Sequence, residues 1–147
     1  MENFIEASAY NTSKKSYESY YFMVHYNATL NKKIATRFVG VERVDVTNAD
    51  EYALVYSGGK IVVYCDGIKT EFNDLAKDDD VCVSVQSGYF YLNSYKWANM
   101  RVFLADGTEI TDNIPDSSSV ISANDNYVLS QAYSEGKSIL YLQDRAT

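Results

Sequence analysis

The chain has 147 residues, 46% of them hydrophobic and 22% charged, and a net charge of −7. This composition is typical of one folded domain with its own core, and it excludes a disordered chain. The negative charge and the absence of a Lys/Arg cluster disfavour nucleic acid and anionic membranes as partners. Without a long apolar run or a secretory leader, the chain is expected to be made in the cytoplasm and to lack a membrane span.

The N-terminal part combines a weakly patterned segment with a clear strand. Residues 1–19 are predicted to be an arm or an edge strand, followed by a single all-β domain over residues 20–147. From Tyr20 to Thr29, apolar and aromatic residues alternate with a period of two, which predicts a strand. Ile34–Val46 is a longer β run, and a bulge is expected at Gly40, where its register slips.

The middle of the chain predicts a three-stranded antiparallel meander. Its turns are Ser57-Gly58-Gly59-Lys60 and Asp66-Gly67, whose glycines adopt positive φ at little cost. The strands are predicted at Glu51–Ser57, Ile61–Cys65 and Ile68–Phe72. Thr70–Lys77 is the only stretch expected to hold one or two helical turns.

The same plan recurs to the end of the chain, with short β runs separated by turn residues. A protruding loop is predicted at Asn93–Asn99, and a second loop at residues 112–119. The strands are predicted at Val81–Val85, Tyr89–Leu92, Met100–Ala105, Thr108–Thr111, Val120–Ser122, Tyr127–Tyr133 and Ile139–Leu142.

Three segments of the chain can be aligned as a repeat: residues 49–67, 80–107 and 126–144. The Asp66-Gly67 and Asp106-Gly107 corners lie 40 residues apart, and Asp144 follows Asp106 by 38. The pattern resembles degenerate blades of β-propeller proteins, in which a Gly-Lys turn leads to an aliphatic strand and an Asp-Gly corner. It resembles less closely short hairpin repeats with an aliphatic–Tyr–Asp-Gly tail. The likeness covers about residues 43–147.

The resemblance leaves three architectures open. A closed propeller has about four to eight blades, whereas 147 residues at this period give fewer than four, and the WD dipeptide is absent. The chain is therefore expected to form a partial propeller, a propeller-like assembly completed by other subunits, or a β-sandwich with similar hairpins.

The residues available for catalysis or metal binding are few. His25 is the one histidine, and it is expected to be an ordinary strand residue. Apart from His25, only Cys65 and Cys82 could act as nitrogen or sulfur ligands of a metal. The sequence therefore predicts no metal site, no cofactor, no catalytic triad and no disulfide. The loop carboxylates are expected to form turns, although two opposed carboxylates suffice for a glycosidase. They are residues 78–80, Asp112, Asp116 and Asp125.

The densest aromatic segment of the chain is residues 87–97. Tyrosine and tryptophan offer large, rigid contact area with a polar tip, which suits interfaces and carbohydrate stacking. A core with a cross-strand ladder is the alternative interpretation. The candidate binding residues are Tyr89, Tyr91, Asn93, Tyr95 and Trp97.

Three functional hypotheses follow from these observations. The first is a non-enzymatic assembly module, such as a virion or tail component, that forms homo- or hetero-oligomers through unpaired strand edges and Tyr-rich faces. The second is a recognition module or inhibitor that binds a glycan, a small metabolite or a partner protein. The third is a hydrolase that uses paired carboxylates.

Overall fold

The computed structural model describes residues 3–75 and 79–145, and these residues form an all-β fold. Thirteen strands in this part of the chain make four antiparallel sheets. The first sheet holds β1 (Asn3–Asn11), β2 (Ser16–Asn27) and β3 (Lys32–Phe38), and the second holds β4 (Val41–Asn48), β5 (Glu51–Tyr56), β6 (Ile61–Cys65) and β7 (Ile68–Phe72). The third sheet holds β8 (Cys82–Val85), β9 (Tyr89–Asn93) and β10 (Arg101–Leu104), and the fourth holds β11 (Ser119–Ala123), β12 (Tyr127–Ser134) and β13 (Lys137–Asp144). A short 3₁₀ helix, Thr111–Asn113, precedes the fourth sheet.

Each sheet is a meander in which strands consecutive in sequence pair side by side. Two-residue turns set the register: Asp66-Gly67 joins β6 to β7, and Glu135-Gly136 joins β12 to β13. All four of these residues have positive φ, from 51° to 76°. This is the conformation that matches the twist of the flanking strands, and it explains why an Asp-Gly or Glu-Gly pair forms these corners.

The four sheets pack against one another in chain order. The largest core lies between the second and third sheets, where Val63 meets Phe90, Leu92 and Phe103. Phe90 and Phe103 stack with ring centroids 5.1 Å apart, and Phe72 meets Phe103 edge-on at 5.1 Å. Because alternate residues of a strand point to opposite faces, the strands of the second and third sheets contribute to two cores each.

Smaller cores join the other sheets. Between the first and second sheets, Tyr52 packs against Phe4 and Phe38, with ring centroids 5.7 and 6.2 Å away. Between the third and fourth sheets, the core is formed by Tyr89, Val102, Leu104, Ile110, Ala123 and Val128. The second and third sheets are therefore covered on both faces, while each end sheet is covered on one.

Backbone hydrogen bonds reveal the structural repeat. The amides of Gly67, Ala105 and Arg145 donate to the carbonyls of Asp50, Gly88 and Asn126, at 3.1, 3.1 and 2.7 Å respectively. The three acceptors are spaced 38 residues apart in the sequence. They make β5, β9 and β12 equivalent strands, so the sequence alignment was wrong in matching the segment around Val81–Val83 with β5.

Most of the predicted strands are confirmed, and three details are corrected. Gly40, with φ of 81°, lies in the turn between β3 and β4, so the expected bulge is a junction between two sheets. The predicted strand at 108–111 is reduced to one bridge, Phe103 with Glu109, before the 3₁₀ helix. In the segment expected to hold helical turns, β7 continues to Phe72, and residues 76–77 lie outside the described residues. The four sheets are four stacked meanders, which differ from a two-sheet sandwich.

The N-terminal segment forms part of the first sheet. Residues 3–11 are the edge strand β1, which pairs along its whole length with β2. The boundary predicted after residue 19 falls inside β2.

Candidate interaction surface

The strand part of the aromatic segment lies between sheets. Tyr89 and Tyr91 face the fourth sheet, whereas Phe90 and Leu92 face the second. Tyr89 is buried, its hydroxyl donates to the carbonyl of Ile121 (3.1 Å), and burial raises the pKa of its phenol. Both faces of β9 therefore supply core contacts.

The loop part of the same segment is more accessible. Tyr95 is 79% exposed and Asn93 is also exposed, while Trp97 packs against the core between the second and third sheets. The Trp97 indole N–H donates to Asp79 Oδ2 (3.3 Å). The five candidate residues are thus divided between a buried strand and a loop, and they do not form one continuous surface. Their role in ligand binding stays a prediction.

The loop carboxylates mostly make local contacts. Asp112 and Asp116 line a small cleft of about 210 Å³, where the Asn99 amide donates to Asp116 (3.4 Å). Asp80 pairs with Arg43 at 3.2 Å, and Asp125 lies exposed in the turn before β12. Asp78 lies outside the described residues. Within residues 3–75 and 79–145, no three His, Cys, Asp or Glu side chains are grouped as a metal site would require.

The histidine and the cysteines lie in three different sheets. His25 is in β2, opposite Ile34. Cys65 is buried in the second sheet, where burial raises the pKa of its thiol to about 11, and Cys82 is exposed in the third sheet. A thiol with so high a pKa is a poor nucleophile at neutral pH. These side chains do not combine into a catalytic pair.

Glu51 is a buried carboxylate beside the Asp66-Gly67 corner. Burial raises its pKa above the ordinary value, and the negative charge of Asp66 raises it further. Because the folded-state pKa exceeds the unfolded one, ionised Glu51 opposes folding. The penalty is absent below about pH 4.5 and grows as the pH rises through the folded-state pKa.

Glu51→Gln is therefore expected to stabilise the protein at about pH 8 by on the order of 1 kcal/mol, and to have little effect at about pH 4. Urea unfolding of both proteins at the two pH values measures this difference. The exposed Glu42→Gln in β4 is the matched control and should change neither value. An equal effect of Glu51→Gln at both pH values would contradict the assignment.

The fourth sheet presents an uncovered apolar face. Its register places Leu129 opposite Leu142 and Gln131 opposite Leu140, so these four side chains share the face that points away from the third sheet. Leu140 is 61% exposed and Leu142 is 69% exposed. We call this surface the outer face of the fourth sheet, and it consists of Tyr127, Leu129, Gln131, Tyr133, Leu140 and Leu142.

Equivalent positions in the preceding sheets are buried. The cross-strand pairs Ala53–Val63, Tyr91–Val102 and Leu129–Leu142 occupy the same place in the second, third and fourth sheets. Val63 and Val102 are 0% exposed because the following sheet covers them. Leu142 occupies a position of the same kind, and among the described residues no further sheet covers it.

Sequence reasoning did not single out this surface. The sequence places Leu129, Leu140 and Leu142 in predicted strands and goes no further, since a strand pattern indicates which residues share a face but not whether another sheet covers that face. The usable signal was the last repeat itself, which keeps large aliphatic residues at the positions that meet a following sheet.

Comparison of the chain with protein-family models, with curated proteins and with solved structures gives no match. Among the described residues, no helix has the length and apolar character needed to cross a membrane.

Proposed function

We propose that this chain is a non-enzymatic assembly module that associates through the faces of its end sheets. The observation that carries the proposal is the outer face of the fourth sheet, where Leu142 is exposed at a position whose equivalents in the second and third sheets, Val63 and Val102, are fully buried. Folded monomers rarely leave a contiguous apolar patch of this kind without a partner.

The chemistry of the remaining surface supports the same proposal. Of the two carboxylates in the small cleft, Asp116 accepts a hydrogen bond from the Asn99 amide, and His25 lies in a different sheet from either cysteine. The virion or tail setting stays a prediction, because the apolar face fits assembly in any setting.

Sedimentation velocity over a wide range of protein concentration tests this proposal. The wild-type chain is expected to form species larger than its 16.6 kDa monomer as concentration rises. Leu142→Glu should weaken this association by at least about tenfold, because it places an unpaired charge in the contact. Val39→Glu is the matched control, since Val39 is equally exposed but lies in the turn between β3 and β4.

Circular dichroism of both variants should show the unchanged β spectrum. A wild-type chain that stays a 16.6 kDa monomer at every concentration would overturn the proposal.

A further inference from the structure

We propose that the partner of the fourth sheet's outer face is the first sheet of a second copy of this chain, which gives head-to-tail assembly. The inference rests on the proposed function and adds to it the identity of the partner and the orientation of the contact. It is carried by the shape of the repeat, by the exposed face of the first sheet and by the distribution of charge.

The first sheet has an uncovered face of its own. Phe4 and Met23 point into the core with the second sheet, so the residues that alternate with them point away. The outward side chains Ile5, Phe22 and Val24 form a continuous apolar strip across β1 and β2. We call this surface the outer face of the first sheet, and it consists of Ile5, Tyr20, Phe22, Val24, Tyr26, Lys33 and Arg37.

Basic residues flank that strip. Arg37 lies directly opposite Phe22 in the register, and its guanidinium carbon is 4.6 Å from the centre of the Tyr20 ring. Lys33 lies opposite Tyr26 on the same face. The apolar centre with a basic margin is suited to an apolar surface that carries carboxylates at its own margin.

The proposed contact repeats one that the chain already makes three times. Each sheet has one face of the kind that packs on a preceding sheet in the chain and one of the kind that packs on a following sheet. At each internal junction, the second kind of face on one sheet packs on the first kind of face on the next sheet. The outer face of the fourth sheet is of the kind that packs on a following sheet, and the outer face of the first sheet is of the kind that packs on a preceding sheet. Joining them between two copies continues the stack with the same polarity.

Charge favours this orientation over the two symmetric ones. The first sheet, residues 3–38, carries five basic and two acidic side chains, whereas the fourth sheet and the residue that follows it, residues 119–145, carry two basic and three acidic ones. On the outer face of the fourth sheet, Asp144 lies opposite Tyr127, and Glu135 lies in the adjoining turn. First-to-fourth contact brings opposite signs together, while first-to-first and fourth-to-fourth contacts bring like signs together.

A contact between two different faces is heterologous, so it closes into a ring or continues as a filament. A ring of this kind corresponds to the architecture in which a propeller-like assembly is completed by other subunits. Salt is expected to weaken the association, because the charges lie at the solvent-exposed margin of the contact.

Two face-blocked variants test the orientation. Ile5→Glu blocks the outer face of the first sheet, and Leu142→Glu blocks the outer face of the fourth sheet. Because both substitutions introduce a negative charge, the two blocked faces repel each other and do not pair. Each variant alone is expected to be monomeric. An equimolar mixture is expected to form a heterodimer of twice the 16.6 kDa mass and nothing larger, because one intact face remains on each partner.

The controls separate this inference from the proposed function. A variant with both substitutions should not join either single variant, and Val39→Glu should assemble like the wild type. If Ile5→Glu or Leu142→Glu alone still dimerises, the contact is symmetric and the head-to-tail inference is wrong, although assembly itself stands. If the wild-type chain associates but the mixture does not, a different surface is used and the inference is again wrong. If the wild-type chain never associates, the proposed function fails with it.

Discussion

Phe90→Ala is expected to destabilise the protein by about 3–5 kcal/mol, which is a large part of the roughly 5–15 kcal/mol that holds a typical domain together. Phe90 is 0% exposed and stacks on Phe103 with ring centroids 5.1 Å apart. Phe72 meets the Phe90 ring edge-on at 6.1 Å. Removing the ring leaves a cavity between the second and third sheets, where the surrounding strands are held by their own ladders and cannot collapse to fill it.

Urea unfolding at fixed protein concentration measures this effect. Tyr95→Ala is the matched control, because it removes an aromatic ring from the same segment at a site where the side chain is exposed. Its expected change is within about 0.5 kcal/mol. A change for Phe90→Ala as small as that of the control would show that Phe90 does not lie in the main core.

Gly107→Ala is expected to cost about 2 kcal/mol or more, and Gly67→Ala about 1 kcal/mol. Both glycines complete an Asp-Gly corner and have positive φ, 86° and 73°. A methyl group at Gly107 would lie 3.1 Å from Thr70 Oγ1 and 3.3 Å from Thr70 Cγ2, whereas at Gly67 it would meet nothing within 4 Å. The two substitutions therefore share a backbone cost and differ in one contact between the third and second sheets.

A double-mutant cycle isolates that contact. Thr70→Ala removes the two side-chain atoms that crowd the new methyl group, so Gly107→Ala made in the Thr70→Ala background should cost about as much as Gly67→Ala, near 1 kcal/mol. Chemical unfolding of the four proteins provides the values. Equal costs for Gly107→Ala in both backgrounds would contradict the close approach of the corner to β7.

Local sequence signals were sufficient for most of the strands and most of the turns. Asp66-Gly67 predicted a tight corner because the pair adopts positive φ cheaply, and the corner is present. Gly40 was misinterpreted for a related reason: a positive φ suits both a bulge and a turn, and only the pairing of β3 and β4 with different sheets distinguishes them. The repeat was detected, but the match of Val81–Val83 to β5 was wrong because short aliphatic strands resemble one another.

The candidate surface could not be predicted to the same extent. Tyr89 and Leu142 are both large strand residues near a repeat corner, yet one is buried and the other is exposed. The difference arises from the number of sheets stacked on each face, which is a property of the whole stack and not of any local window. Tyr89 and Tyr91 share one face of β9, and Phe90 and Leu92 share the other, as the alternation of a strand requires, and the structure buries residues on both faces.

The sheet order has a consequence for how the protein folds. Every sheet is built from strands that are neighbours in sequence, and every core joins only consecutive sheets. Such a chain has short loops to close and low contact order for a β protein, so it is expected to fold quickly for its class. Its stability approximates a sum of single-sheet terms and nearest-neighbour terms, as in a one-dimensional array. The end sheets have one neighbour each, so they are expected to open first. Amide hydrogen exchange in β1 and β13 would measure the free energy of local opening at each end of the array.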